Sequence, residues 1–306
     1  MRLKYLIAAL AAAVALAACS EPELGGPTDL PDDVTIPQGL ASPQTDAKIV
    51  SLYEQYGSYF LYDYTEKEVL WRLVNASSTY RYNILPPELD HIGDQLDLFG
   101  ELFLGFYPDA FLKKHMPYKV FLAKEVVQDE GWRQTEFFAL FFGNSILLGY
   151  ADERAAGADP AMKYREFNLA HEGFTQWLFG NGRFAIPDGF AAMSDYTLVL
   201  GYPADYYEYP TECSYEWIEA PDDEHLEAGF LGANGEYWSD NQKITTDFQN
   251  YLNYMRYFAP DSPQWERYLS FPKVRAKYDF IRGHWLKTHG YDPAQLGNAD
   301  FGTITL

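Results

Sequence analysis

The segment His171-Glu172-Gly173-Phe174-Thr175 has residue types and a spacing that could do metal chemistry. In the signature H-E-x-x-H, two histidines one helical turn apart bind zinc, and the glutamate beside the first acts as general base. His171 would then be a zinc ligand and Glu172 the catalytic base. Thr175 stands where the second histidine belongs, and a threonine hydroxyl is a poor zinc ligand. The motif therefore suggests zinc as a cofactor, held at an incomplete site.

The same residues also fit a simpler interpretation. His171 could be an ordinary half-buried helix histidine bonded to a carbonyl, with Glu172 in solvent. The histidines at positions 91, 115, 225, 284 and 289 offer no clear replacement ligand, since most lie near predicted helix ends or on helix faces. His225, in an acidic loop, could fold over the helix. The sequence leaves both interpretations open.

A helix must position this segment. Asp159 is a suitable N-cap, Pro160 suits the first helical position, and the helix should run to about Phe179 and end at Gly180-Asn181-Gly182. Runs rich in aromatic and β-branched residues at 118–127, 137–142 and 145–150 predict strands before it. A second helix is predicted to begin with a capping box at Thr246–Gln249. We therefore expect an α+β fold, with a small sheet followed by this helix and a helical C-terminal part.

The N-terminus predicts a lipoprotein signal peptide over residues 1–18. Arg2 and Lys4 precede a short apolar run, and Leu16-Ala17-Ala18-Cys19 fits the lipobox in which Cys19 becomes acylated. The alternative is a plain signal peptide with a chance cysteine. Residues 19–46 are rich in proline and acidic residues and predict a flexible tether. We expect a chain anchored by lipid in the cell envelope, in the outer membrane at its surface or periplasmic face.

The charge and composition limit the partners. The formal net charge of -21 argues against nucleic acid and against anionic membrane surfaces, so contact with the membrane should come through the lipid anchor only. Aromatic residues make up 17% of the chain, including 25 tyrosines, and tyrosine-rich surfaces suit peptides and sugars. Residues 183–242 predict a long, loop-rich insertion.

Residues 167–176 resemble the active-site helix of surface lipoproteins in Bacteroidetes that are described as zinc-binding metallopeptidases or substrate import-associated zinc metallohydrolase lipoproteins. Residues 49–57 resemble the opening helix of that family, and residues 273–292 resemble its closing helix. The resemblance implies a zincin-like domain over residues 47–306. It also implies an outer-membrane nutrient importer complex as partner.

The chain departs from the family pattern at two places. Thr175 replaces the second histidine, and Thr246-Asp247-Phe248-Gln249-Asn250 stands where the family has an acidic E-D-F-A-E run, a source of the third ligand. The first hypothesis is therefore a metallopeptidase-family lipoprotein linked to nutrient import, with a degenerate zinc site. The second is a non-catalytic lipoprotein that binds a peptide or glycan or docks onto an importer. The third is a structural envelope lipoprotein.

Overall fold

The structure is a computed structural model that describes residues 34–73, 81–208 and 217–302. The predicted signal peptide, the acylation site Cys19 and the second cysteine, Cys213, lie outside the described residues. Within those residues the fold is mixed α+β, with many helices and small sheets. Every helix in the described ranges is too short or too polar to cross a membrane.

The helices are α1 (Pro43–Tyr56), α2 (Glu66–Leu73), α3 (Ile92–Leu102), α4 (Asp109–His115), α5 (Glu153–Ala156), α6 (Pro160–Gly180), α7 (Asp223–Ala228), α8 (Asp240–Tyr257), α9 (Pro263–Tyr268) and α10 (Pro272–His289). Short 3-10 helices lie at Leu89–His91, Leu104–Phe106, Ala191–Met193 and Pro293–Asn298. The strands are β1 (Tyr59–Leu61), β2 (Arg81–Leu85), β3 (Lys119–Leu122), β4 (Glu125–Asp129), β5 (Gln134–Glu136), β6 (Ala139–Phe142), β7 (Ser145–Leu148), β8 (Asp205–Glu208) and β9 (Trp217–Ala220).

The main sheet has four strands in the order β1-β3-β7-β6. Strands β1, β3 and β7 are parallel, with Phe60 opposite Val120 and Val120 opposite Ile146, whereas β6 runs antiparallel to β7 and forms an edge. The apolar side chains of β7 are all buried, as expected for a strand covered on both faces. Two smaller antiparallel sheets have the orders β2-β4-β5 and β8-β9.

Helix α6 follows this sheet and packs against β6. Its N-cap is Asp159, whose carboxylate accepts a hydrogen bond from the backbone N–H of Met162, and Pro160 occupies the first turn, as the sequence predicts. A Cβ at Gly173 would lie 3.3 Å from the Phe141 ring, so glycine permits the close approach of helix and strand. The buried face of α6 joins an aromatic core that includes Phe103, Tyr107 and Phe174.

Two boundaries differ from expectation. Helix α8 begins at Asp240, because Ser239 and Gln242 form the capping box, so the predicted start at Thr246 was wrong. The compact unit begins at Ile36, before the boundary expected at residue 46. There the Gln38 side-chain oxygen accepts hydrogen bonds from the backbone N–H of Tyr62 at 2.7 Å and of Asp63 at 3.0 Å. The expected insertion at 183–242 contains β8, β9 and α7 within its described parts.

Candidate functional site

His171 lies on the core side of α6, with no exposed surface. Its Nδ1 is 2.7 Å from the hydroxyl oxygen of Tyr107, and its Nε2 is 3.0 Å from the carbonyl oxygen of Leu102. The rings of Phe103 and Phe167 pack around it, with centroids 5.2 and 4.4 Å from that of the imidazole. Both ring nitrogens therefore have partners inside the protein.

These two contacts fix the tautomer of His171. A carbonyl oxygen can only accept, so Nε2–H donates to Leu102, and Nδ1 accepts the hydroxyl proton of Tyr107. Burial, with a smaller contribution from the charge of Arg256, lowers the pKa of His171 to about 3. The imidazole is neutral at physiological pH, but its one available lone pair is already used.

Glu172 lies at the boundary with solvent, and its side chain is 36% exposed. Its Oε2 is 3.3 Å from a guanidinium nitrogen of Arg256, and its Oε1 accepts a hydrogen bond from the Gln176 amide at 3.0 Å. A general base needs a free carboxylate facing the water that it activates. Glu172 instead forms an ion pair with α8.

Arg256 is the charged residue that α8 places next to this segment, and it is 3% exposed. Its Nε donates to the Asn168 side-chain oxygen at 3.0 Å, and its Nη1 donates to the Asn253 side-chain oxygen at 3.1 Å. The guanidinium also lies over the ring of Tyr257, 4.8 Å from its centroid. This fixed positive charge raises the free energy of any metal cation placed beside Glu172.

Thr175 does not replace the missing ligand. Its hydroxyl donates to the backbone carbonyl of His171 at 2.8 Å, a local bond within the helix. A small cleft between α6 and α8 lies on this side, and five of the six residues that line it have polar side chains. The lining residues are Glu172, Thr175, Gln176, Gln249, Leu252 and Asn253.

The side chains of α6 do not fit a zinc site. Zinc needs lone pairs converging on one point, with an open position for water. The lone pair of His171 points to Tyr107 in the core, and Glu172 and Thr175 bond elsewhere. The roles expected for His171 as ligand and Glu172 as base remain predictions from the sequence, and the geometry disfavours both.

Asp247, in the segment matched to the family's third-ligand run, serves a different network. Its Oδ2 accepts hydrogen bonds from Lys277 at 2.5 Å and from the Tyr196 hydroxyl at 2.6 Å. Burial raises the pKa of Asp247 and lowers that of Lys277, while their mutual attraction opposes both shifts. The ammonium of Lys277 also faces the rings of Phe230 and Phe190. This buried ion pair holds α10 to α8.

Other histidines are explained by local partners or by burial. Nδ1 of His225 lies 2.8 Å from Oδ1 of Asp222, and its Nε2 lies 2.9 Å from the Gly201 carbonyl, so it does not reach α6. His115 and His289 end helices α4 and α10, and their rings are 6.0 Å apart. Burial lowers the pKa of each to about 4.

A group of possible metal ligands lies away from α6. Atoms of Glu88, His91 and Glu153 that could each supply one ligand all lie within 4.8 Å of one another. Glu88 precedes the 3-10 helix that ends at His91, and Glu153 opens α5. The spacing Glu88-x-x-His91 is visible in the sequence, but nothing local indicates that Glu153 comes to the same place.

Comparisons with known proteins give one distant structural neighbour. No protein-family model matches the chain, and no curated protein matches it. The crystal structure of a putative zinc-binding metallo-peptidase from Bacteroides caccae is similar with a TM-score of 0.43 and 14% sequence identity, covering 84% of this chain and 92% of that one. Zinc binding in that description is a property of the Bacteroides protein.

Proposed function

We propose that this protein is a lipid-anchored envelope protein that acts by binding a ligand or partner and not by zinc catalysis at α6. The observation that supports this most is the state of His171, which is buried and has both nitrogens engaged by Tyr107 and Leu102. Metal binding there would break the bond to Tyr107 and leave a buried hydroxyl without its acceptor. Such an orphaned group costs about 1–3 kcal/mol.

The cleft between α6 and α8 is the proposed binding surface. Side-chain amides of Gln176, Gln249 and Asn253 line it beside the Glu172 carboxylate. Amides donate and accept hydrogen bonds, and a carboxylate accepts two or more, so this surface suits the hydrogen-bonding groups of a peptide or a glycan. The ligand would add polar contacts without displacing the buried ion pair of Arg256.

A catalysis experiment tests the first part of the proposal. We expect the purified protein to show no peptide hydrolysis that is sensitive to chelator, and Glu172→Gln to change nothing in that assay. Hydrolysis that a chelator abolishes and that Glu172→Gln removes would overturn the proposal. Circular dichroism of the variant should match the parent, because the side-chain oxygen of glutamine can still accept a hydrogen bond from Arg256.

Binding is tested on the same cleft. Glycan and peptide arrays probed with the protein should give a set of ligands whose binding falls by about fivefold or more in Gln249→Ala, since a lost hydrogen bond to a ligand costs about 1 kcal/mol. The matched control is Gln295→Ala, a glutamine in the 3-10 helix at Pro293–Asn298, outside the cleft. Equal loss in both variants would argue against the cleft.

The anchor and the importer form a separate part of the proposal, which rests on the lipobox and on the resemblance. Cys19→Ser should move the protein from the membrane fraction to the soluble fraction of a bacterial host. An outer-membrane nutrient importer should co-purify with the anchored chain after gentle solubilisation. A chain that fractionates with membranes equally well without Cys19 would contradict the lipid anchor.

A further inference from the structure

We propose that Glu88, His91 and Glu153 form a binding site for one divalent transition-metal ion, with Zn²⁺ as the probe, and that the bound ion joins the segment before α3 to α5. The site is separate from the signature on α6 and does not depend on the function proposed above. Its donors are one imidazole and two carboxylates. Zinc accepts all of these ligand types, and the imidazole favours it over magnesium.

The donor atoms are close enough to share one ion. His91 Nε2 lies 3.9 Å from Oε2 of Glu88, and the three candidate ligand atoms lie within 4.8 Å of one another. Ligands about 2.0–2.2 Å from one zinc ion are separated by roughly 3–4 Å. Side-chain rotations that move the donor atoms by about 1 Å would therefore close the group around an ion.

The backbone holds this group in place. The N–H of Glu88 donates to the carbonyl of Ala151 at 3.0 Å, which joins the segment before α3 to the segment before α5. The N–H of His91 donates to the carbonyl of Glu88 at 3.0 Å. The Asp152 carboxylate caps α5 by accepting from the N–H of Arg154, so Glu153 begins a fixed helix. All three ligands therefore stand on positions that hydrogen bonds define.

The imidazole of His91 is oriented as metal-binding histidines usually are. Its Nδ1 is shielded from solvent and makes no hydrogen bond of ordinary geometry, while Oδ2 of Asp94 lies 3.5 Å away. In many metal sites a carboxylate faces the ring nitrogen that does not bind the ion, which fixes the tautomer and aims the other nitrogen at the ion. Asp94 is placed to do this for Nε2 of His91. A small closure of the group would also satisfy the orphaned Nδ1.

A cation already uses part of the site. The ammonium of Lys124 forms a short ion pair with Oε1 of Glu88. The carboxylates thus create a local potential that attracts positive charge. Lys124 contacts Oε1 of Glu88, whereas Oε2 faces Nε2 of His91, so the ammonium competes with a bound ion for the negative charge of this carboxylate.

Zinc titration of the tag-free protein tests the site. Isothermal titration calorimetry should give one saturable site at neutral pH, and affinity should fall at least about tenfold in His91→Gln and in Glu153→Gln, because even outer-shell changes cost 10- to 100-fold. The matched control is Asp90→Asn, which removes one negative charge next to the site but no ligand. It should keep the affinity within about threefold.

Lys124→Gln distinguishes a specific metal site from the general attraction of cations to an acidic surface. It should raise zinc affinity in the parent, and it should not do so in the His91→Gln background. Glu172→Gln should leave zinc affinity unchanged, which separates this site from α6. The proposal is overturned if the parent shows no saturable zinc binding, or if binding is unchanged by His91→Gln and Glu153→Gln.

Discussion

His171 and His91 stand near glutamates in the sequence, and the structure gives them opposite environments. His171 belongs to a recognisable signature, yet it is enclosed by aromatic rings and both nitrogens are engaged. His91 belongs to no signature, yet its side chain is 31% exposed and lies beside the carboxylates of Glu88 and Asp94. A histidine can bind a metal only if one ring nitrogen has a free lone pair. The spacing of residues in the sequence does not show whether it has one.

The difference follows from what packs against each residue. His171 faces Leu102 at the end of α3 and Tyr107 in the segment before α4. It occupies a core position among aromatic rings, and these two residues supply the hydrogen-bond partners of its ring nitrogens. His91 is the last residue before α3 and faces the start of α5. One histidine stabilises the fold, and the other borders solvent where an ion can enter.

The largest expected effect is on stability. His171→Ala should lower the free energy of unfolding by about 3–5 kcal/mol, because it leaves a cavity among aromatic rings and orphans the Tyr107 hydroxyl and the Leu102 carbonyl. His91→Ala should change it by about 0.5 kcal/mol or less without added metal. Urea denaturation measures both values.

If His171→Ala does not fold, a milder variant at Tyr107 changes the same contact. Tyr107→Phe removes only the hydroxyl and should cost about 1–2 kcal/mol. Equal losses in the His171 and His91 variants would contradict the division between a structural and a surface histidine.

Lowering the pH should destabilise the folded protein through His171. The pKa of His171 falls from an ordinary 6.5 in the unfolded chain to about 3 in the folded protein, so below pH 6.5 the unfolded state binds the extra proton. The stability that His171 contributes is complete above pH 6.5 and decreases as the pH falls toward 3. Its share amounts to about 1.4 kcal/mol per pH unit between these limits.

Denaturation curves at pH 7, 6 and 5 measure this slope. His171→Gln should flatten it, because glutamine does not titrate in this range. A residual slope is expected from His115 and His289, whose pKa values are lowered to about 4 by burial. A slope that is the same in the parent and in His171→Gln would show that the imidazole is not buried in the neutral form.

Local signals in the sequence predicted α6 well, and distant contacts explain what they missed. Asp159, Pro160 and the glycine-rich end act within a few residues, so its helix and limits were predictable. The start of α8 was misassigned because Thr246–Gln249 and Ser239–Gln242 are both capping-box patterns. In the additional first turns Lys243 is buried, and its ammonium donates to the carbonyl of Tyr196, a distant contact that favours the earlier start.

The chemistry of the site depended on contacts that no local pattern contains. His171 meets Tyr107 and Leu102, and Glu153 meets Glu88 and His91, only after the elements between them have folded. The substitution at Thr175 was the one local sign that the signature on α6 was incomplete. It could not show that Arg256 of α8 would lie beside Glu172.

The smallest expected effect sharpens the comparison most. Restoring the signature with Thr175→His, in a His91→Gln background that removes the other candidate site, should leave zinc affinity unchanged within about threefold. The new histidine would lie one turn from His171, but the lone pair of His171 still points to Tyr107 and the charge of Arg256 remains beside Glu172. Calorimetry with zinc measures the affinity, and Thr175→Gln serves as the size control. A large gain in zinc affinity with Thr175→His and none with Thr175→Gln would mean that α6 lacks only its second histidine. It would also mean that a metal can displace the hydrogen bond between His171 and Tyr107.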